Sequence, residues 1–180
     1  EKNCIKKYYF ETNDYEKAGD YFYSLDKIEA VKCYEKIEDK SLEIQVKIFE
    51  LQEKNEEIGD LFSTIDREKS LLYYNKALSK NKEKLDLKIK ILLIDEKYEE
   101  IGNIYLKANK KEKAKDYFLK IIEKNLLIES KILECDNRYE EAGDLIVEEN
   151  KKIALMYYKN FEKNTKDLIS RERIKNKILF

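Results

Sequence analysis

The sequence predicts an all-α protein built from repeated helical units, and three observations carry that reading. The 180 residues contain no proline and only four glycines, so helix breakers are few and the turns must be short. Every glycine sits in a copy of one motif: YEKAGDYF from Tyr15, NEEIGDLF from Asn55, YEEIGNIY from Tyr98 and YEEAGDLI from Tyr139. Gly19, Gly59, Gly102 and Gly143 follow one another at intervals of 40, 43 and 41 residues. Such a period belongs to units that stack because none buries its apolar face alone.

Each repeat reads as three helical segments. The first is a lead segment, NCIKKYYFET, which recurs as LEIQVKIFEL, DLKIKILLID and IESKILECDN. A lysine stands twelve before each glycine, at Lys7, Lys47, Lys90 and Lys131. The polar turns TND, EKN, DEK and DNR come next. Their Asn and Asp suit a turn, and the acids that follow suit the positive end of a helix.

In the glycine-bearing helix, the positions four before, one before and three after the glycine share a face. They are Tyr15, Asn55, Tyr98 and Tyr139, then Ala18, Ile58, Ile101 and Ala142, then Phe22, Phe62, Tyr105 and Ile146. A glycine inside a helix costs about 0.5–1 kcal/mol relative to alanine, so four at one register predict a close helix contact. The second helix carries Ala30, Ser70, Ala114 and Ala154, then Tyr34, Tyr74, Phe118 and Tyr158, then Ile37, Ala77, Ile121 and Phe161. Its rhythm runs on from Ala30 to Leu51 and from Ala114 to Cys135. That leaves open one helix of about 24 residues or two shorter ones, whereas SKNKEK from Ser79 reads as a turn.

An aromatic, a glycine, an aromatic three beyond it, and small and aromatic positions in the second helix resemble the tetratricopeptide repeat family over about 23 residues of each repeat. The departures are a turn one residue shorter in three copies, a large residue at the last small position, and no closing proline. The resemblance implies a right-handed superhelical α-solenoid of about four divergent repeats, in one elongated domain over residues 1–180. Its repeats span approximately 3–40, 41–82, 83–124 and 125–164, and the match of RIKNKILF to a lead segment predicts a partial fifth, 165–180, within a longer protein.

Lys and Arg number 37 against 38 Asp and Glu, for a net charge of −1, so nucleic acid is not the favoured partner. With no histidine in the chain, imidazole bases, Ser-His pairs and His-bearing metal sites are excluded. An enzyme is therefore not expected, nor a cofactor or metal. Cys4, Cys33 and Cys135 show no metal-like spacing and read as reduced thiols of a cytoplasmic protein, with Cys4 and Cys135 expected in the core. The apolar runs fall short of a membrane span.

Three before each glycine is a glutamate and one after it an acid or amide: Glu16 and Asp20, Glu56 and Asp60, Glu99 and Asn103, Glu140 and Asp144. The resemblance implies that these positions, with Tyr23, line a concave groove for a protein or peptide partner. Carboxylates where clamp-type members carry lysine then favour a basic segment. The opposing account is that the glutamates serve helix starts while each Asp pairs with a lysine of the adjacent helix. The function expected is a non-catalytic interaction scaffold. The alternatives are a regulatory or sensor arm of a larger NTPase or helicase-type protein, and an RNA-binding solenoid.

Overall fold

The computed structural model describes residues 2–179, with side chains for residue 4 and residues 7–178. Thirteen helices and no strand occur among the described residues. Repeat one supplies α1 (Lys2–Glu11), α2 (Tyr15–Phe22) and α3 (Lys27–Glu35), and repeat two α4 (Leu42–Leu51), α5 (Asn55–Phe62) and α6 (Arg67–Lys80). Repeat three supplies α7 (Leu85–Ile94), α8 (Tyr98–Lys107) and α9 (Lys111–Leu119), and repeat four α10 (Leu126–Cys135), α11 (Tyr139–Ile146) and α12 (Lys151–Asn164). The last helix is α13 (Leu168–Leu179).

Consecutive helices pack in pairs, and the chain divides into two compact bodies, Glu1–Ile94 and Asp95–Phe180. The division falls between α7 and α8. Lead helices pack on the second helix before them, α4 on α3, α7 on α6 and α10 on α9, and α4 and α10 pack also on the glycine-bearing helices α5 and α11 that follow. By the same rule α13 packs on α12, and its Ile174 is fully buried with Ala154, Tyr157 and Tyr158. The stretch that reads as the start of a fifth repeat thus completes the packing of the fourth.

Local chemistry explains each boundary. The residue six before every glycine is left-handed: Asn13 (φ 55°), Glu53 (57°), Glu96 (54°) and Asn137 (60°). This conformation stops the lead helix. The next amide then reaches back over the helix end, Asp14 N to Tyr9 O at 2.9 Å, Lys54 N to Phe49 O at 2.8 Å and Arg138 N to Leu133 O at 2.9 Å, pairing carbonyls the helix leaves open. Asp26, Asp66 and Asn150 start α3, α6 and α12 by accepting from the amides of Glu29, Lys69 and Ile153 at 3.2, 3.0 and 3.1 Å. In repeat three the longer turn replaces this cap with left-handed Asn109.

The question of continuous helices is answered by two breaks. Ser41 Oγ and Asn125 Oδ1 accept from the amides of Ile44 and Ile128, starting α4 and α10. One residue earlier, Lys40 and Lys124 each place Nζ 2.5 Å from the carbonyl of Ile37 or Ile121, closing the preceding turn. Second helices consequently alternate in length, with 9 residues in α3, 14 in α6, 9 in α9 and 14 in α12.

The glycines sit at helix crossings. A Cβ built on Gly19, Gly59, Gly102 or Gly143 would lie 2.3–2.4 Å from the ring of Tyr34, Tyr74, Phe118 or Tyr158. No glycine has positive φ, so close approach and not backbone freedom selects it. Ala18, Ala30, Ile58, Ser70, Ile101, Ala114 and Ala142 complete these crossings with no exposed surface.

One core assignment is corrected. Cys135 is buried, but Cys4 is exposed. It stands fifteen before Gly19, where later repeats place Ile44, Leu87 and Ile128, all buried. Those three belong to lead helices lying on a preceding second helix.

Two stability measurements follow. Gly59→Ala should destabilise by about 1–3 kcal/mol, the usual cost of overpacking, and the cost should shrink in a Tyr74→Ala background. Equal urea midpoints for Gly59→Ala and wild type would contradict the crossing. Glu96→Asn, which relieves a left-handed glutamate, should stabilise by about 0.5–1 kcal/mol, read as a higher melting temperature.

Candidate functional site

The expected site residues divide between the bodies, Glu16, Asp20, Tyr23, Glu56 and Asp60 in the first and Glu99, Asn103, Glu140 and Asp144 in the second. Most of the carboxylates already have cations of this chain beside them. Asp20 accepts the Tyr34 hydroxyl at 2.6 Å and Lys47 Nζ at 2.9 Å. Asp60 accepts Tyr74 at 2.6 Å and Lys90 at 2.6 and 2.8 Å, and Lys90 also reaches Glu56 at 3.0 Å. In repeat four Tyr158 and Lys177 meet Asp144 at 2.8 and 2.6 Å, and Lys177 and Arg173 meet Glu140. Repeat three holds Glu99 with Lys131 at 3.0 Å. There Phe118 has no hydroxyl to offer, and the facing residue is the uncharged Asn103. Glu16 is exposed on the first turn of α2.

Each of these lysines comes from the next lead helix and also lies over the aromatic ring of the second helix: Lys47 over Tyr34 at 5.8 Å, Lys90 over Tyr74 at 5.6 Å, Lys131 over Phe118 at 5.7 Å and Lys177 over Tyr158 at 5.5 Å. One ammonium therefore ties three helices. Partial burial opposes ionisation of Asp20, but the Tyr34 hydroxyl and Lys47 outweigh it and hold the carboxyl below its usual value. Lys84, then Lys90, hold Glu56 low as well. Burial and the Asp60 hydrogen bond push Tyr74 up to about 12.

A groove on the first body has a different character. Its volume is about 620 Å³, and Leu42, Val46 and Phe62 line it together with Tyr23, Glu50 and Lys69. That volume lies within the usual range for ligand pockets, roughly 300–1,000 Å³. Asp20 and Tyr23 are the expected site residues that it gathers. Glu50 stands at its edge with both oxygens engaged: Oε2 accepts Tyr23 Oη at 3.0 Å and Oε1 accepts Tyr73 Oη at 2.6 Å. The carboxylate hydrogen bond, then burial, raise Tyr73 to about 12. Tyr73 also stacks on Phe62, with ring centroids 6.2 Å apart and planes inclined by 14°.

The second body repeats the pair with a different outcome. Glu134 and Tyr157 occupy the same offsets from Gly143 that Glu50 and Tyr73 occupy from Gly59. Tyr157 is 1 % exposed and lies 3.4 Å from Ser130 Oγ. Burial raises the Glu134 carboxyl, and the charges of Lys111 and Lys131 act against that rise. The residue before Lys131 differs as well, since Ser130 stands where the first body has Val46.

Glu50, Tyr73, Leu42, Val46 and Lys69 escape a reading that compares all four repeats, because the Glu–Tyr pair occurs only in the second and fourth. A two-repeat period was the available signal. No group of three or more metal-ligating side chains, and no helix long and apolar enough to cross a membrane, occurs among the described residues. No family model matches the chain, nor does any curated protein sequence or solved structure.

The latches set a pH profile. Asp20 and Glu56 titrate low, so their contribution is present above the ordinary carboxylate range, about pH 4, and is lost as pH falls through their lowered values. Lys47, Lys90 and Lys177 titrate high, so theirs is full below about pH 10.5 and is lost as pH rises through the raised values. Melting temperature should be flat from about pH 5 to 9 and fall on both sides. Asp20→Asn should reduce the acid limb, and an unaltered limb would remove Asp20 from it.

Proposed function

We propose that this chain is a non-catalytic interaction scaffold, a divergent tetratricopeptide-like α-solenoid acting in the cytoplasm as a region of a larger protein. It binds an extended peptide segment of a protein partner. The observation that carries this reading is the groove of about 620 Å³ on the first body, which joins an apolar wall to a polar edge. An extended segment suits such a surface, since alternate side chains of a strand point to opposite faces and pockets for those side chains give specificity. The acidic ladder supports the same reading less directly, because its carboxylates are largely matched by lysines of this chain.

Random linear peptides displayed on phage and selected on the 180-residue chain test this. Selected peptides should bind Val46→Asp at least tenfold more weakly, since the new carboxylate enters the apolar wall. Leu72→Asp, on the exposed side of α6 and outside the groove, should bind as wild type. Peptides indifferent to Val46→Asp would place the binding surface elsewhere. Circular dichroism melts of both variants separate loss of binding from loss of fold.

A further inference from the structure

We infer that the groove of the first body recognises an arginine side chain of its peptide, with Glu50 as the acceptor. The inference rests on the peptide-binding reading and names the chemistry of the ligand.

Glu50 is an exposed carboxylate whose orientation is fixed from two helices, by Tyr23 at the end of α2 and by Tyr73 on α6. Each oxygen accepts one hydroxyl and keeps a second lone pair, since a carboxylate offers about four acceptor positions. Tyrosine hydroxyls position the group without neutralising it. Among the described residues Glu50 has no ion pair, in contrast to Asp20, Glu56, Asp60, Glu99, Glu140 and Asp144. The nearby lysines are committed to other groups. Lys47 pairs with Asp20 at 2.9 Å and Glu43 at 3.1 Å, and Lys69 pairs with Asp66 at 3.4 Å and lies over the Phe62 ring at 5.1 Å.

The second body shows how the same device is closed. There Ser130 contacts Tyr157, the tyrosine is buried, and Glu134 is half-buried with Lys111 Nζ on its backbone carbonyl at 3.2 Å. In the first body Val46 replaces that serine and the space before the carboxylate is open. The first body therefore presents to solvent a carboxylate that the second body half-buries.

Guanidinium fits better than ammonium. Its planar fork offers parallel donors to both carboxylate oxygens, and its face can lie on an aromatic ring such as that of Tyr23. Leu42 and Val46, one turn apart on α4, then take an apolar side chain two residues away on the same face of an extended peptide.

The experiment is the same display selection carried out in parallel on wild type and Glu50→Gln, followed by fluorescence polarisation with synthetic copies of the selected peptides. Peptides from the wild-type selection should contain an arginine near an apolar residue. Replacing that arginine by citrulline, which keeps shape and removes charge, should weaken binding at least tenfold, and Glu50→Gln should produce a similar loss. On Glu50→Gln, the citrulline and arginine peptides should bind alike. Peptides that need Val46 but lack arginine, or that bind Glu50→Gln as wild type, overturn the arginine inference and leave the groove reading standing. Peptides indifferent to Val46→Asp, or the absence of any selected peptide, overturn both. A melt of Glu50→Gln within a few degrees of wild type confirms that binding, and not folding, is being read.

Discussion

One aromatic ring per repeat holds this structure together. Tyr34, Tyr74, Phe118 and Tyr158 each lie against a glycine of the preceding helix, at a distance that admits no β-carbon. The same rings lie beneath a lysine of the following lead helix. Where the ring is tyrosine, its hydroxyl meets the aspartate beside the glycine. Three helices are therefore fixed by contacts to one side chain. The glycine's cost in helix propensity is the condition for that contact, because alanine at any of the four positions would push the ring away.

The charges follow from this geometry. A tyrosine hydroxyl donates only one hydrogen bond, and a lysine of the next lead helix adds a cation beside Asp20, Asp60 and Asp144. In repeat three both partners change together: phenylalanine offers no donor and asparagine carries no charge. Lys131 then has Glu99 as its partner and keeps its place over the ring. The hydroxyl and the acid are thus lost together in that repeat.

A second pattern lies over the first. Second helices alternate between 9 and 14 residues, and a Glu–Tyr pair occurs in the repeats with long ones. In the second body the tyrosine is buried and the carboxylate half-buried; in the first the carboxylate is exposed beside an open groove. Val46 stands where the second body has Ser130 and makes part of the groove wall apolar.

Much of the architecture was legible in the residues themselves. Four glycines at one register, each with apolar positions at helical spacing, determined the helices and the faces they bury, because helical periodicity is a local property and every repeat restates it. The turns were legible in TND, EKN, DEK and DNR, although not that the third-to-last helix position would be reached by a backbone amide past a left-handed Asn13 or Glu53. Tertiary structure decided the rest. Periodicity is blind to a break such as Lys36 to Ser41, since the capping bonds of Ser41 and Lys40 are made in three dimensions while the apolar rhythm runs on. Exposure of Cys4 depends on whether a second helix precedes it, which its own segment does not encode. Charges on a helix face can serve a partner or a neighbouring helix, and only the fold places Lys47, Lys90, Lys131 and Lys177 beside those carboxylates. Glu50 differs for the same reason: its sequence neighbours resemble those of the others, but folding brings it two hydroxyls and no cation.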